Sequence, residues 1–572
     1  MSGGSIRIIE MPDLGTVTDA TSFVGERAGS GRFSATALRD YVSVGSSGTG
    51  VANVRDYGAL GDGATDDSTA IQAAVATGMP VFMPAGNYRI TSQINCSTRG
   101  QAIRGAGRQA TFIRISGPSA GFSAGIFNVT NSTAGTDACQ YFSDFTVALA
   151  QPNTAVRASL NSYPPVFYLN AASRCQFENV RLAGGIDGIY MAGNCGGFRA
   201  FACDFACYGR NIYIDGNLDV TSFTDCEVWP FSDTGIMTAN QQKIFYDANC
   251  YGILSLRNDY LDWKGGLFLV GRAAVFQNQP SGSWPGWTYG SIVGCGFDTF
   301  GGLEVAAGNI LTDNCTFSVG GDPTQAKNAV RHTGGVVTVR GAKFFTGSTG
   351  IANNSLVYSN VASGAAGLIV SDCSFETGLL DVRAIYCASA NDYFSVAIVG
   401  NQLNRVASGT YTTSMIELAG GNGAVTNNIA WNATGTVTSV PWLGIDANSG
   451  PYMVRGNMAN GWATTVVSNI IPSASLITLP AVIGDAMPEV IISGNTTIGS
   501  MTYSKNIGTN AAYGGLTVTL FFQATITITS GTAGTAGQFL LNGRTNFIAN
   551  VNSSLTVQLT TSGNWQEIGR CL

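Results

Sequence analysis

The chain has 572 residues, 11% of them charged, with 74 glycines and a formal charge of −6. That weak charge, without a basic run, excludes a nucleic-acid-binding surface, and no stretch approaches the ~18 consecutive apolar residues of a membrane span. High glycine with few charges fits tight turns and strands buried in stacks.

Residues 1–50 differ from the rest. They end in a Gly/Ser stretch, Ser43 to Gly50, that reads as a linker, and the segment is too small for a core of its own unless it docks or oligomerises. The opening Met1-Ser-Gly-Gly lacks the basic-then-apolar pattern of a signal peptide, so cytoplasmic synthesis is expected. Asp66-Asp67-Ser68 can cap a short helix over 69–77, with Ala70, Ile71, Ala74 and Val75 on one stripe and Gly78 ending it. Such a helix (66–77 with its cap) covers the open end of a stack of strands. Short strands follow at Val81-Phe82 and Tyr88-Arg-Ile90, and Arg104-Gly-Ala-Gly107 is a turn without the context of a dinucleotide site.

From Cys175 to Asn457 a tripeptide recurs roughly every 28 residues, the irregular period of coils stacked along one axis. It reads Cys175-Gln-Phe, Cys203-Asp-Phe, Cys226-Glu-Val, Asn258-Asp-Tyr, Cys295-Gly-Phe, Cys315-Thr-Phe, Ala342-Lys-Phe, Cys373-Ser-Phe, Asn401-Gln-Leu, Asn427-Asn-Ile and Asn457-Met-Ala. The first and third positions point inward and the second outward, as in a strand. The fold class is therefore all-β, a right-handed parallel β-helix over 51–460. Six cysteines share the first position and read as buried reduced thiols acting as small hydrophobes; without a Cys-x-x-Cys pair a zinc cage is not expected.

After about residue 460 the motif stops. The alternating runs 516–522, 525–528, 538–541, 555–559 and 565–568, separated by Gly/Thr/Ser turns, predict an antiparallel, β-sandwich-like cap over 461–572.

The chain has one histidine, His332, far from any nucleophile motif, so a Ser-His-Asp triad and multi-histidine metal sites are not expected. Catalysis would rest on carboxylates, or on Lys, Arg or Tyr. The outward motif position places Asp204, Glu227 and Asp259 on consecutive coils ~4.8 Å apart, where mutual repulsion raises at least one carboxyl pKa. Asp262 follows Asp259 by three residues. Trp229, Trp263, Trp284 and Trp287 cluster near them, and indole rings stack on sugars while their N–H groups bond hydroxyls. Glycoside hydrolysis needs one protonated and one ionised carboxyl, and Glu227, Asp259 and Asp262 supply that set. Asp204, Trp229, Trp263, Lys264, Trp284 and Trp287 are read as substrate-binding. A solvated acidic face is the plain alternative, and Asp298 with Glu304 is another carboxylate pair. β-Elimination remains open through Lys264, Arg257 or Arg272, as does a metal-dependent form on the Asp204–Glu227–Asp259 ladder. A spike that binds glycan without turnover is a third reading.

Two stretches carry a resemblance. Asp56-Tyr-Gly-Ala-Leu-Gly-Asp-Gly-Ala-Thr-Asp-Asp-Ser-Thr-Ala-Ile-Gln72, with Val81-Phe-Met-Pro-Ala-Gly-Asn-Tyr88, resembles the opening segment of the pectate-lyase-like superfamily, shared by polygalacturonase-like enzymes and many bacteriophage tailspikes. Polygalacturonases combine an Asp-Asp pair in the helix with a Gly-His-Gly motif; neither that motif nor a suitably placed histidine is present, so pectin hydrolysis by that route is not implied. Glu227 followed by Asp259-Tyr-Leu-Asp262 resembles the site of endorhamnosidase-type tailspikes, where a Glu and an Asp-x-x-Asp lie on neighbouring coils. By that resemblance Asp259 and Asp262 act as acid and base with Glu227 assisting. The resemblance further implies a virion-attachment segment at 1–50, joining a phage tail or baseplate. It implies a trimerisation or carbohydrate-binding module at 461–572, a homotrimer, and a surface polysaccharide (capsule or O-antigen) as substrate. No organic cofactor or metal is implied.

Overall fold

The computed structural model describes residues 50–572 except 131–136, 233–234, 279–287, 300, 320–327, 347–354, 363, 379–380, 389–393, 407–411, 433–437, 446–451, 461, 464–467, 471–475, 480–481, 484–489, 493–496, 504–516, 534 and 561, together with two short strands at 22–23 and 33–34. Most of the expected attachment segment at 1–50, and both Trp284 and Trp287, therefore lie outside the described residues.

Parallel strands wind around one core on three faces. The first face includes Ile94–Cys96, Phe127–Thr130, Phe167–Asn170 and Ile189–Ala192, stacked in register. Ala102–Gly105, Tyr141–Ser143, Gln176–Glu178 and Arg199–Phe201 belong to the second face. The third face is a separate 15-stranded sheet, from Asp62–Asp66 to Met458–Asn460. Two long strands, Arg210–Thr224 and Tyr251–Lys264, run across the first and second faces without a break and fuse them into one 27-stranded sheet. Their pairing carries bulges between Ile214 and Val220, which turn the corner. The parallel β-helix expected from the motif is the fold, and among the described residues no helix is long and apolar enough to cross a membrane.

The motif has a backbone cause. On each coil the chain passes from the second face to the third through one residue with positive φ: Ala202, Asp225, Gly265, Gly294, Asn314, Gly341, Asp372, Gly400, Asn427 and Gly456. Nearly all are Gly, Asn or Asp, the residues that tolerate this conformation at least cost. The next residue points inward and is small or capable of hydrogen bonding. Cys203, Cys226, Cys295, Cys315 and Cys373 are buried free thiols there. Asn401, Asn428 and Asn457 continue the column as a ladder. Asn401 Nδ2 donates to Asn428 Oδ1 at 2.9 Å, and Asn428 Nδ2 to Asn457 Oδ1 at 2.9 Å. Their amides also reach the carbonyls of Val370, Ile398 and Val425, so no polar group of the ladder is stranded. Two residues on, Phe268, Phe297, Phe317, Phe344 and Phe375 stack at 5.2, 4.5, 4.9 and 4.4 Å between ring centroids.

Three motif assignments shift. Leu267, not Asp259, follows Glu227 on the third face, so the coil carries Gly266-Leu-Phe268. Gly266 replaces the cysteine because its φ is +83° and a Cβ would sit 1.8 Å from the Cys226 carbonyl oxygen. Ile429, not Asn428, pairs with Gln402. Cys175-Gln-Phe177 belongs to the second face, since Gln176 pairs with Arg199.

The capping helix is Ser68–Ala76, packed on the first coils through Ile71, Ala74 and Val75. Asp67 holds the N-cap position, but its carboxylate turns away to accept Leu60 N (2.7 Å) and Gly61 N (3.1 Å). The last part of the chain has its own apolar core, from Ile477 to Trp565. Its pairing is mixed. Thr517–Phe522 with Ser554–Leu559, and the latter with Trp565–Cys571, are antiparallel as expected. Ser468–Ile470, Val490–Ile492 and Thr517–Phe522 instead pair in parallel, extending coil-like stacking past the expected boundary at 460.

Candidate active site

The third face brings two of the expected carboxylates together. Asp204 and Glu227 are partners in the parallel ladder, one rung apart. Asp204 is not an open substrate contact. It is 5% exposed. Its Oδ2 accepts Arg181 Nε (3.0 Å) and Nη2 (2.8 Å) and forms an ion pair with Arg108 Nη1 at 2.9 Å. Arg108 comes from the Gly107 turn several coils earlier, where its carbonyl accepts Thr146 Oγ1. A buried carboxylate in the middle of a sheet needs such partners, and the two guanidinium groups supply them.

Glu227, half-buried, has neither arginine as a direct partner. Burial pushes its carboxyl above the usual range, the charge of Asp204 adds to the rise, and Arg108 and Arg181 offset part of it. A carboxyl in that state is suited to donate a proton.

An insertion at 229–250 stands beside this pair. It holds Trp229, the hairpin Phe231–Ser232 with Gly235–Ile236, and the helix Ala239–Phe245, whose N-terminus is closed by a Thr238/Gln241 capping box. Phe231 packs against Trp229 with ring centroids 6.0 Å apart and lies 4.2 Å under the Arg181 guanidinium. A second loop, 150–163, docks against the insertion. Arg157 reaches Asp247 at 2.8 and 2.6 Å, Ile244 O at 3.0 Å and Tyr208 O at 2.6 Å.

Asp259 and Asp262 lie elsewhere than the motif implied. Both belong to Tyr251–Lys264 on the fused sheet, and Asp262 pairs with Ser222 and Ser291. Asp259 is exposed at the bulged corner, where its Oδ2 accepts Asp219 N at 3.4 Å. Asp262 accepts Lys264 Nζ at 2.7 Å and Ser291 Oγ at 3.3 Å, and Ser291 also meets Tyr260 Oη at 3.4 Å. Lys264 is raised above the ordinary lysine range by its bond to Asp262, so it is a cation rather than a base. The edge formed by Asp225, Gly265 and Gly266 separates this group from Glu227. The carboxylate ladder thus has two members, not three.

Trp263 is in the core, not on the sugar-facing surface. It is fully buried between Phe223 (4.5 Å) and Phe268 (4.7 Å), and its Nε1 donates to Gly265 O at 3.0 Å. Its position alternates with the outward Asp262 and Lys264, so the sheet period fixes it inward. The alternative carboxylate pair is split. Asp298 is exposed on the third face, while Glu304 is on the first face, held by Arg272 at 2.6 and 2.7 Å and by Arg331 at 3.4 Å. Arg272 is therefore also occupied. His332 is buried and satisfied, with Nδ1 3.1 Å from Ser359 Oγ and Nε2 3.1 Å from Gly335 O. Among the described residues no group of three or more His, Cys, Asp or Glu could hold a metal ion. Sequence reasoning did not find Arg108 and Arg181; the paired strand positions Arg181 and Asp204 were the available signal for the latter.

The family described as rhamnogalacturonase A/epimerase, pectate lyase-like matches residues 51–189. That segment precedes Glu227, so the site lies in coils beyond it. The chain is 33% identical over 127 residues to mannuronan C5-epimerase AlgE3 of Azotobacter vinelandii, covering 20% of this chain and 7% of that protein. It is 26% identical over 215 residues to the pre-neck appendage protein of Bacillus phage phi29, covering 35% of this chain and 22% of that protein. The chain thus spans less than a quarter of either curated relative. Among solved structures, the tailspike protein gp49 from Pseudomonas phage LKA1 aligns with a TM-score of 0.39 and 12% identity, over 83% of this chain and 90% of that chain.

Proposed function

We propose that this chain is a bacteriophage tail appendage that binds a bacterial surface polysaccharide and cleaves it as an endo-acting glycoside hydrolase. The observation that carries the chemistry is Glu227: a half-buried carboxyl raised by burial, beside a twin locked in ion pairs, with Trp229 next to it. Glu227 protonates the glycosidic oxygen. Asp262, ion-paired with Lys264 and lying beyond the Asp225/Gly265 edge from Glu227, takes the proton of the attacking water, and Asp259 lines the same strand. Trp229 gives a sugar ring a stacking surface. Asp204 positions rather than reacts. The phage pre-neck relative supports the virion setting. Attachment through the amino terminus and assembly as a homotrimer belong to the same proposal.

The test is polymer length. Wild-type protein should shorten a cognate capsule or O-antigen on size-exclusion chromatography, and Glu227→Gln and Asp262→Asn should each leave it long while remaining folded. Undiminished shortening by Glu227→Gln would defeat the assignment. β-Elimination on a uronic-acid polymer is the second reading, favoured by the Tyr260–Ser291–Asp262–Lys264 group and by relatives named alginate lyase and mannuronan epimerase.

A further inference from the structure

The first face carries an outward column that the cleavage site does not use. Tyr168, Tyr190 and Tyr213 are partners on consecutive rungs. Tyr168 meets Tyr190 edge-on, with centroids 5.4 Å apart and ring planes at 69°, and Tyr190 tilts against Tyr213 at 4.5 Å and 32°. All three are half-buried. Arg210 lies over Tyr213 at 3.9 Å and Tyr190 at 5.7 Å, and is fixed by Asp187, which accepts its Nε at 2.8 Å. Tyr190 Oη donates to Asp215 Oδ2 at 3.3 Å. The column therefore lines up phenol hydroxyls at the strand spacing of ~4.8 Å, with a guanidinium and a carboxylate beside them.

Few ligands ask for that pattern. A protein partner would be matched by an apolar patch, whereas these residues present hydroxyl, guanidinium and carboxylate groups beside aromatic rings. An extended glycan repeats its hydroxyls along one axis and is bound by rigid aromatic side chains with polar tips. The docked loops at 150–163 and 229–250 reach this face where Arg157 bonds the Tyr208 carbonyl, two residues before Arg210, and so wall one edge of the column. We infer that Tyr168, Tyr190, Tyr213 and Arg210 form a second saccharide-binding track that holds a polysaccharide chain along the helix axis, on a different face from Glu227. This rests on the proposed action on polysaccharide.

The variant that isolates the track is Tyr168→Phe/Tyr190→Phe/Tyr213→Phe. It keeps the ring contacts and removes the hydroxyls, including the one Tyr190 directs at Asp215. Full-length wild-type protein, this variant and Glu227→Gln would be applied to arrayed bacterial capsular and O-antigen polysaccharides, with retention measured beside melting temperature. The inference predicts that the triple variant melts like wild type and binds the retained polymer about tenfold or more weakly, from lost hydrogen bonds. Glu227→Gln leaves the polymer uncleaved, so its retention is read beside that of wild type. Unchanged retention by the triple variant overturns the track and leaves the cleavage assignment intact. A lowered melting temperature with unchanged retention makes the column structural only and also overturns it. Retention of no polymer by wild-type protein overturns the track and the proposed function together.

Discussion

Glu227 stands one rung above Asp204 in the parallel ladder, and the two carboxylates have opposite surroundings. Asp204 is clasped by Arg181 and Arg108, while Glu227 faces burial and the neighbouring negative charge. A repeating backbone would give both the same environment. The difference comes from two arginines, one of them reaching along the axis from an earlier coil.

Glu227 carries a pH signature in stability as well as activity. Its folded carboxyl is raised, so the folded state holds its proton more tightly than the unfolded chain does. Stability from this group is present at acid pH and is lost as pH rises from the ordinary glutamate value through the raised one. Glu227→Gln should therefore gain melting temperature relative to wild type as pH increases across that window, and match it below. Cleavage by wild type should fall on the same alkaline side, where the proton donor is spent. Thermal melts and rates at matched pH values check both.

Breaking the Asp204 clasp should destabilise strongly. Asp204→Asn leaves Arg181, only 13% exposed in its side chain, and Arg108 without their carboxylate, at a cost of about 3 kcal/mol. Denaturant titration should show this, with cleavage reduced through displacement of Glu227.

The two described tryptophans near the site should behave in opposite ways. Trp263→Ala removes a fully buried ring from between Phe223 and Phe268 and should cost about 3–5 kcal/mol. Trp229→Ala, at a half-buried ring, should melt close to wild type and weaken polymer binding. Paired melting and retention measurements separate the roles.

His332 should report on acid unfolding. Burial lowers its pKa to about 4, whereas the unfolded value is ordinary. Its contribution is complete above the unfolded pKa and is lost as pH falls toward about 4, on the order of 3 kcal/mol in all. His332→Gln should flatten the decline in melting temperature over that range.

The β-helix was legible because the turn before each motif demands a residue that accepts positive φ, and Gly, Asn or Asp recur there. The same rule locates the errors. Asn258 follows Arg257 in the middle of a long unbroken strand, so Asn258-Asp-Tyr260 imitates the motif without the turn. The true coil begins at Gly265-Gly266, where a steric clash forbids the cysteine that would have marked it. Asn427 is itself the turn residue, which moved that motif by one. Glu227 and Asp204 were visible from the outward position alone. The clasp of Arg108 was not, because it joins residues far apart in sequence through a loop along the axis. The tyrosine column on the first face was hidden because its members fall outside the repeated tripeptide.

The most direct test follows new reducing ends and the ultraviolet absorbance of unsaturated sugars together, as purified protein acts on a panel of bacterial capsules and lipopolysaccharides. Reducing ends without absorbance, lost in Glu227→Gln, are the predicted result. Both signals rising together, or cleavage that survives Glu227→Gln, would contradict hydrolysis with Glu227 as the proton donor.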